Sequence, residues 1–123
     1  MWEHAGIVRD GTGLRRALAD LDTLSDALQD AGIAPTTRVY NMSWHEWLNV
    51  ENLLRVSRII VHAALAREES RGAHFRSDST ATGPLEESRF SVVSADADGT
   101  LHTIMRPVDF SIVRPGESLL DDA

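Results

Sequence analysis

The feature that most constrains this chain is one long run of helical periodicity that ends in charge. Val50, Leu53, Leu54, Ser57, Ile60, Val61, Ala64 and Leu65 recur at three- and four-residue steps, and Ile59, Ala63 and Ala66 widen the stripe. A face this broad needs cover on more than one side, which two further helices would supply. Ser43-x-x-Glu46 reads as a capping box and sets the start near Trp44. Gly72 is the expected stop, after Arg71. The last turn then carries Arg67, Glu68, Glu69, Ser70 and Arg71, with His74 and Arg76 just beyond it. Carboxylates at a helix C-terminus oppose its dipole by up to ~1 kcal/mol each. So dense a breach of local chemistry marks these seven residues as the candidate site.

Upstream, Leu14, Leu18, Leu21, Leu24 and Leu28 make a second amphipathic helix, with Asp20, Asp22, Asp26 and Asp30 facing outward. Thr12 is its expected N-cap and Gly32 its C-terminal glycine, and Pro35 forbids an early restart. Met1 to Arg9 is too short to be a stable helix by itself, with Trp2, Ala5, Ile7 and Val8 giving it one apolar side. Downstream, Ser77 to Ser88 is rich in turn formers and reads as a mobile loop. Phe90 to Ser94 and Leu101 to Met105 are strand-like around the turn signal Asp98-Gly99. Pro107 and Pro115 bracket an extended segment, and Asp121-Asp122 makes an acidic, frayed end. The expected fold is mainly α. A three-helix bundle, spectrin-repeat-like and up-down-up, fills residues 1–76. A loop, a short C-terminal β-hairpin and an extended tail (77–123) pack on it, one domain in all.

Composition narrows the chemistry. The 123 residues suit one domain and contain no cysteine, so disulfide and thiolate chemistry are excluded. No apolar run approaches the ~20 residues of a membrane span, which argues against direct membrane insertion. A net charge of −7 disfavours nucleic acid as a partner. The five histidines are scattered without metal-ligand spacing, and no nucleophile elbow surrounds Ser70. Trp2, Trp44 and Trp47 read as helix-end packing. Gly11-x-Gly13 is a capping break and no dinucleotide fingerprint, since neither a preceding strand nor a third glycine is expected. No catalytic, cofactor-binding or metal residue is assigned. For the cluster itself three readings stand: a self-satisfied ion network, an interdomain contact, or a small-anion site.

Arg67-Glu68-Glu69-Ser70-Arg71-Gly72-Ala73-His74-x-Arg76 resembles the R-[ET]-E-S-R-G-A-H-x-R signature of the succinate dehydrogenase/fumarate reductase flavoprotein subunit family. Met1-Trp2 with Gly6-Ile7-Val8-Arg9 and Gly13-Leu14 resembles the M-W-x-x-x-G-I-V-R…G-L opening of that family's C-terminal region. Asn52-Leu53-Leu54 and Arg106-Pro107-Val108 resemble its N-M-L step and closing R-P-V. The family's D-Y-P is here Asp78-Ser79-Thr80, and its W-x-x-H-T stretch is missing, so an L-aspartate oxidase-like parent stays open. The resemblance implies a C-terminal domain that supports the flavin and substrate domains of an FAD-dependent oxidoreductase. It implies FAD in the full-length parent and none bound by this chain, which alone is expected to be inactive. It implies as partners the N-terminal FAD-binding and capping domains of the same polypeptide and an iron–sulfur subunit. The expected location is the cytoplasm, at the inner membrane's cytoplasmic face through partner subunits. The rival from another class is a free-standing helical interaction module.

Overall fold

The computed structural model describes residues 1–34 and 37–118. Pro35 and the acidic end at Asp121-Asp122, both used in the sequence reading, lie outside the described residues. Among the described residues the chain is mainly helical, with three α-helices and a small antiparallel sheet. Helix α1 (Trp2–Ala5) is a single turn, followed by the two-residue strand β1 (Val8–Arg9). Helices α2 (Gly11–Ala31) and α3 (Met42–Ala66) are long. Strand β2 (Phe75–Arg76) follows, then a 3₁₀ turn at Leu85–Glu87 and strands β3 (Arg89–Ala95) and β4 (Leu101–Pro107).

The two long helices pack antiparallel. Trp47 Nε1 donates to the Leu28 carbonyl (3.0 Å), while Arg58 pairs with Asp22 (2.7 Å), so residue numbers run in opposite directions along the seam. Leu14, Ala17 and Leu21 of α2 meet Leu54, Val61 and Ala64 of α3 in the core, with Ala5, Leu18, Leu28 and Leu65 packed against it. Strands β3 and β4 pair from Arg89↔Pro107 to Ala95↔Leu101 and contact α3. The Asp98-Gly99 signal lies where expected: Gly99 takes a positive φ of 87°, and its N–H returns to the Asp96 carbonyl.

Several expectations are corrected. The first segment is not a continuous helix to Arg9, because Val8 and Arg9 leave it to pair in parallel with Phe75 and Arg76. Asp10, not Thr12, caps α2 by accepting from the Gly13 N–H (2.8 Å). Asn41, not Ser43, caps α3 by accepting from the Trp44 N–H (3.0 Å). Trp47 seats on a helix end as expected, but Trp2 and Trp44 are exposed. Helix α3 stops at Ala66, five residues before Arg71, with Arg67 already extended at φ −88°, ψ 105°. Glu68 and Glu69 therefore lie outside the helix. Residues 77–88 are also no free loop, since their carbonyls and hydroxyls bond throughout residues 67–76.

Much of the expected apolar stripe is uncovered. Leu53, Val56, Ile59 and Ile60 on α3 are exposed, as are Ile7, Val8 and Phe75. The chain presents 9204 Å² to solvent. A compact monomer of its 13.6 kDa would present about 6,600 Å². The two-helix core is too small to hide the apolar side chains this sequence carries.

Candidate functional site

The cluster from Arg67 to Arg76 forms a compact double turn beyond α3. Arg71 and His74 exchange backbone bonds (2.8 and 3.0 Å) around Gly72, whose φ of 57° suits a residue without Cβ. Phe75 and Arg76 then run beside β1, and the Ser77 N–H donates to the Arg9 carbonyl (2.9 Å).

Ser70, 6% exposed, ties the turn at its centre. Its hydroxyl accepts from the Arg76 N–H and donates to the Ser79 carbonyl, both at 2.8 Å. Its own N–H reaches the Ala81 carbonyl (3.0 Å), and its carbonyl accepts from the Thr82 hydroxyl (2.8 Å). The serine is a structural knot, with its hydroxyl committed at both valences.

Arg76 is 5% exposed and joins both long helices. Its Nη1 donates to the carbonyls of Ala64, Leu65 and Arg67 (3.2–3.3 Å), which the end of α3 leaves free. Its Nε and Nη2 fork onto Asp78 Oδ1 and Oδ2, each at 2.7 Å. Asp78 Oδ2 also accepts from the Gly11 N–H (2.8 Å) at the start of α2. A cation thus sits at the negative end of α3 and an anion at the positive end of α2. The Arg76 fork and the Gly11 N–H hold the Asp78 carboxyl far below the usual carboxylate range. The same pairing raises the Arg76 pKa against its burial. A methyl group at Gly11 would stand 3.0 Å from Arg76 Nη2 and 3.1 Å from Asp78 Oδ2, so the fork would have to shift to admit it.

The remaining cluster residues fasten the downstream chain. Arg67 bonds the Glu69 carboxylate and the Arg89 carbonyl. Arg71 donates to the Gly83 (2.8 Å) and Pro84 (3.1 Å) carbonyls and to the Ser88 hydroxyl, 3.6 Å from Glu69. The Glu68 carbonyl accepts from the Ser79 hydroxyl, and its side chain is exposed with no cation paired to it among the described residues. His74 Nε2 meets the Arg67 carbonyl (3.2 Å), and Nδ1 faces Arg9 Nη1 (3.4 Å). Burial lowers the His74 pKa below 6.5, the Arg67 carbonyl works against that, and Arg9, Arg67 and Arg76 lower it further. The neutral ring donates from Nε2 and accepts at Nδ1.

All seven candidates therefore converge on one shoulder. Sequence reasoning missed Asp78 and Arg9, the two residues that attach the shoulder to the start of α2. Both stood inside the motif segments, Asp78 two residues past Arg76 and Arg9 closing Gly6-Ile7-Val8-Arg9. Contrary to expectation a strand, β1, does precede Gly11-x-Gly13. The segment still does not fit a dinucleotide, because the Asp10 and Asp78 carboxylates fill the helix N-terminus where a pyrophosphate would sit. Among the described residues no group of three His, Asp or Glu converges as metal ligands, and no helix is long and apolar enough to cross a membrane.

Residues 1–119 match the family model described as fumarate reductase flavoprotein C-term. The fumarate reductase flavoprotein subunit of Mycobacterium tuberculosis is 35% identical over 113 residues, which is 92% of this chain and 19% of that protein. An L-aspartate oxidase of Rhodospirillum rubrum is 36% identical over 89 residues, 72% of this chain and 26% of that protein. The fold is similar to that of a quinol fumarate reductase FrdA from E. coli, with a TM-score of 0.84 and 27% identity, covering 95% of this chain and 20% of that one. It is also similar to a chain of the Sdh1 complex of Mycobacterium smegmatis, with a TM-score of 0.72 and 29% identity over 87% of this chain and 18% of that one. The chain spans about a fifth of the length of these proteins.

Proposed function

The chain belongs to the fumarate reductase flavoprotein C-terminal family, and from that membership we propose that it is the C-terminal helical domain of a longer FAD-dependent oxidoreductase of succinate dehydrogenase/fumarate reductase type. The observation that carries this reading is a match over residues 1–119 to a family region, in relatives about five times as long. Its role is support. The Asp10 and Asp78 carboxylates close the helix N-terminus to phosphate, and Ser70 is locked in a knot, so flavin binding and hydride transfer fall to the rest of the polypeptide.

The uncovered apolar surface supports the same reading, because this much exposed Leu, Val and Ile marks a face that a larger body covers. Residues 1–76 and 77–123 act as one unit, and the shoulder of Arg67, Glu68, Glu69, Ser70, Arg71, His74 and Arg76 makes the interdomain contact. Six of the seven hold the turn in shape, and Glu68 offers the outward carboxylate. The single turn α1 is the end of a longer helix in the parent, which completes an up-down-up three-helix bundle. Partners are the FAD-binding and capping domains of the same polypeptide and an iron–sulfur subunit, at the cytoplasmic face of the membrane.

A second reading, an L-aspartate oxidase parent, is favoured by the 36% identity to that enzyme. Purifying the whole gene product separates them. Flavin absorbance with fumarate reduction by a reduced viologen dye supports the first reading, and hydrogen peroxide formed from L-aspartate supports the second. A product without flavin overturns both.

A further inference from the structure

Between α3, β1, β3 and the turn at His74 lies an open recess of about 250 Å³. Its polar lining is Arg9, Arg67, His74 and Ser91, and its apolar wall includes Ile60 and Ala63. Among the described residues no Asp or Glu lines it. Arg67 is spoken for by Glu69. Arg9 is not: among the described residues it reaches only neutral acceptors, His74 Nδ1 and the Ala73 carbonyl, both at 3.4 Å. Its Nε is buried with no acceptor at all among the described residues. A half-buried guanidinium without a carboxylate is an unfinished interaction, since its fork of donors suits two carboxylate oxygens. The field of Arg9, Arg67 and Arg76 on His74 marks the recess as locally positive in a chain of net charge −7. Its apolar wall is partly open to solvent, since Ile60 is exposed on α3.

We propose that this recess receives an Asp or Glu side chain, flanked by apolar residues, from the remaining four-fifths of the parent polypeptide. The inference rests on the flavoprotein reading above for the source of that segment. It assigns Arg9 as the anchor: the incoming carboxylate takes Nε and an Nη, and its apolar neighbours cover Ile60 and Ala63.

The test uses the whole gene product. All twelve cationic side chains of these 123 residues are arginine, so Arg9→Lys places one side-chain amine in the domain. A water-soluble carbodiimide then joins that amine only to a carboxylate it touches. Peptide mapping is expected to find position 9 joined to an Asp or Glu outside residues 1–123, several-fold above an Arg16→Lys control. In the unsubstituted protein, phenylglyoxal is expected to modify Arg9 at least tenfold more slowly than exposed Arg16. A cross-link confined to residues 1–123, one to a second copy, or one at control level overturns the inference, as does Arg9 reacting as fast as Arg16. A whole product that holds no flavin overturns the flavoprotein reading whatever the cross-link map shows. A flavin-loaded product with control-level cross-links overturns the recess alone.

Discussion

Arg76 serves three carbonyls and one carboxylate at once, so its removal is the most damaging single change in the shoulder. Arg76→Ala strips the end of α3 and leaves Asp78 without its fork; the expected loss is on the order of 3 kcal/mol. Arg76→Lys restores charge but not fork geometry and is expected to recover less than half of it in urea unfolding. Ser70→Ala orphans the Arg76 N–H and the Ser79 carbonyl, with an expected loss of about 2 kcal/mol. Protons bear on the same contacts. The fold lowers the His74 pKa, so below its ordinary 6.5 the unfolded chain takes up the proton that the folded chain refuses. Stability from this residue is complete above about pH 6.5 and falls as pH drops through that value toward the lowered pKa. His74→Gln should flatten thermal midpoint against pH in that window. Asp78 follows the same sign lower down: its contribution is complete above the ordinary 3.8 and is lost below it.

At the scale of elements, the caps separate what local pattern encodes from what tertiary contact decides. Apolar periodicity located α2 and α3, because burial on one face writes its period directly into sequence, and strand-like composition around the Asp98-Gly99 turn located the β3–β4 hairpin. The end of α3 was misjudged because its cap comes from Arg76, ten residues beyond the final helical residue, and no local rule contains it. Gly72 looked like the stop since a left-handed glycine often ends a helix, whereas here it turns the chain between Arg71 and His74. The charge density of residues 67–76 was legible. The contacts that Asp78 makes with Gly11 and Arg9 makes with His74 were not, since both depend on β1 meeting β2. Two substitutions check this account. Asn41→Ala should cost about 1 kcal/mol and Ser43→Ala only a few tenths, because Asn41 holds the Trp44 N–H. Gly11→Ala should destabilise by about 1 kcal/mol although alanine favours helix, because the methyl presses on the Arg76–Asp78 fork.

For the whole molecule, the imbalance between a small core and a wide apolar exterior governs behaviour in isolation. Leu53→Ser with Val56→Ser is expected to raise solubility and leave the urea midpoint of the 123-residue chain nearly unchanged, because neither side chain is covered. In the whole gene product the same pair should lower the thermal midpoint by several degrees. A flavin fluorescence titration of the 123-residue chain should show no micromolar binding, as the Asp10 and Asp78 carboxylates already hold the amides a phosphate would need.

The pairing of Val8 with Phe75 has a kinetic corollary. It closes a loop that holds both long helices, so its entropic toll falls late, after the helical hairpin has formed from nearer contacts. The last latch to shut is the first to spring, and Asp78→Asn should quicken unfolding in stopped-flow traces while refolding speed barely changes. On the ribosome, α2 and α3 would wait unfastened until the residues beyond Gly72 have emerged.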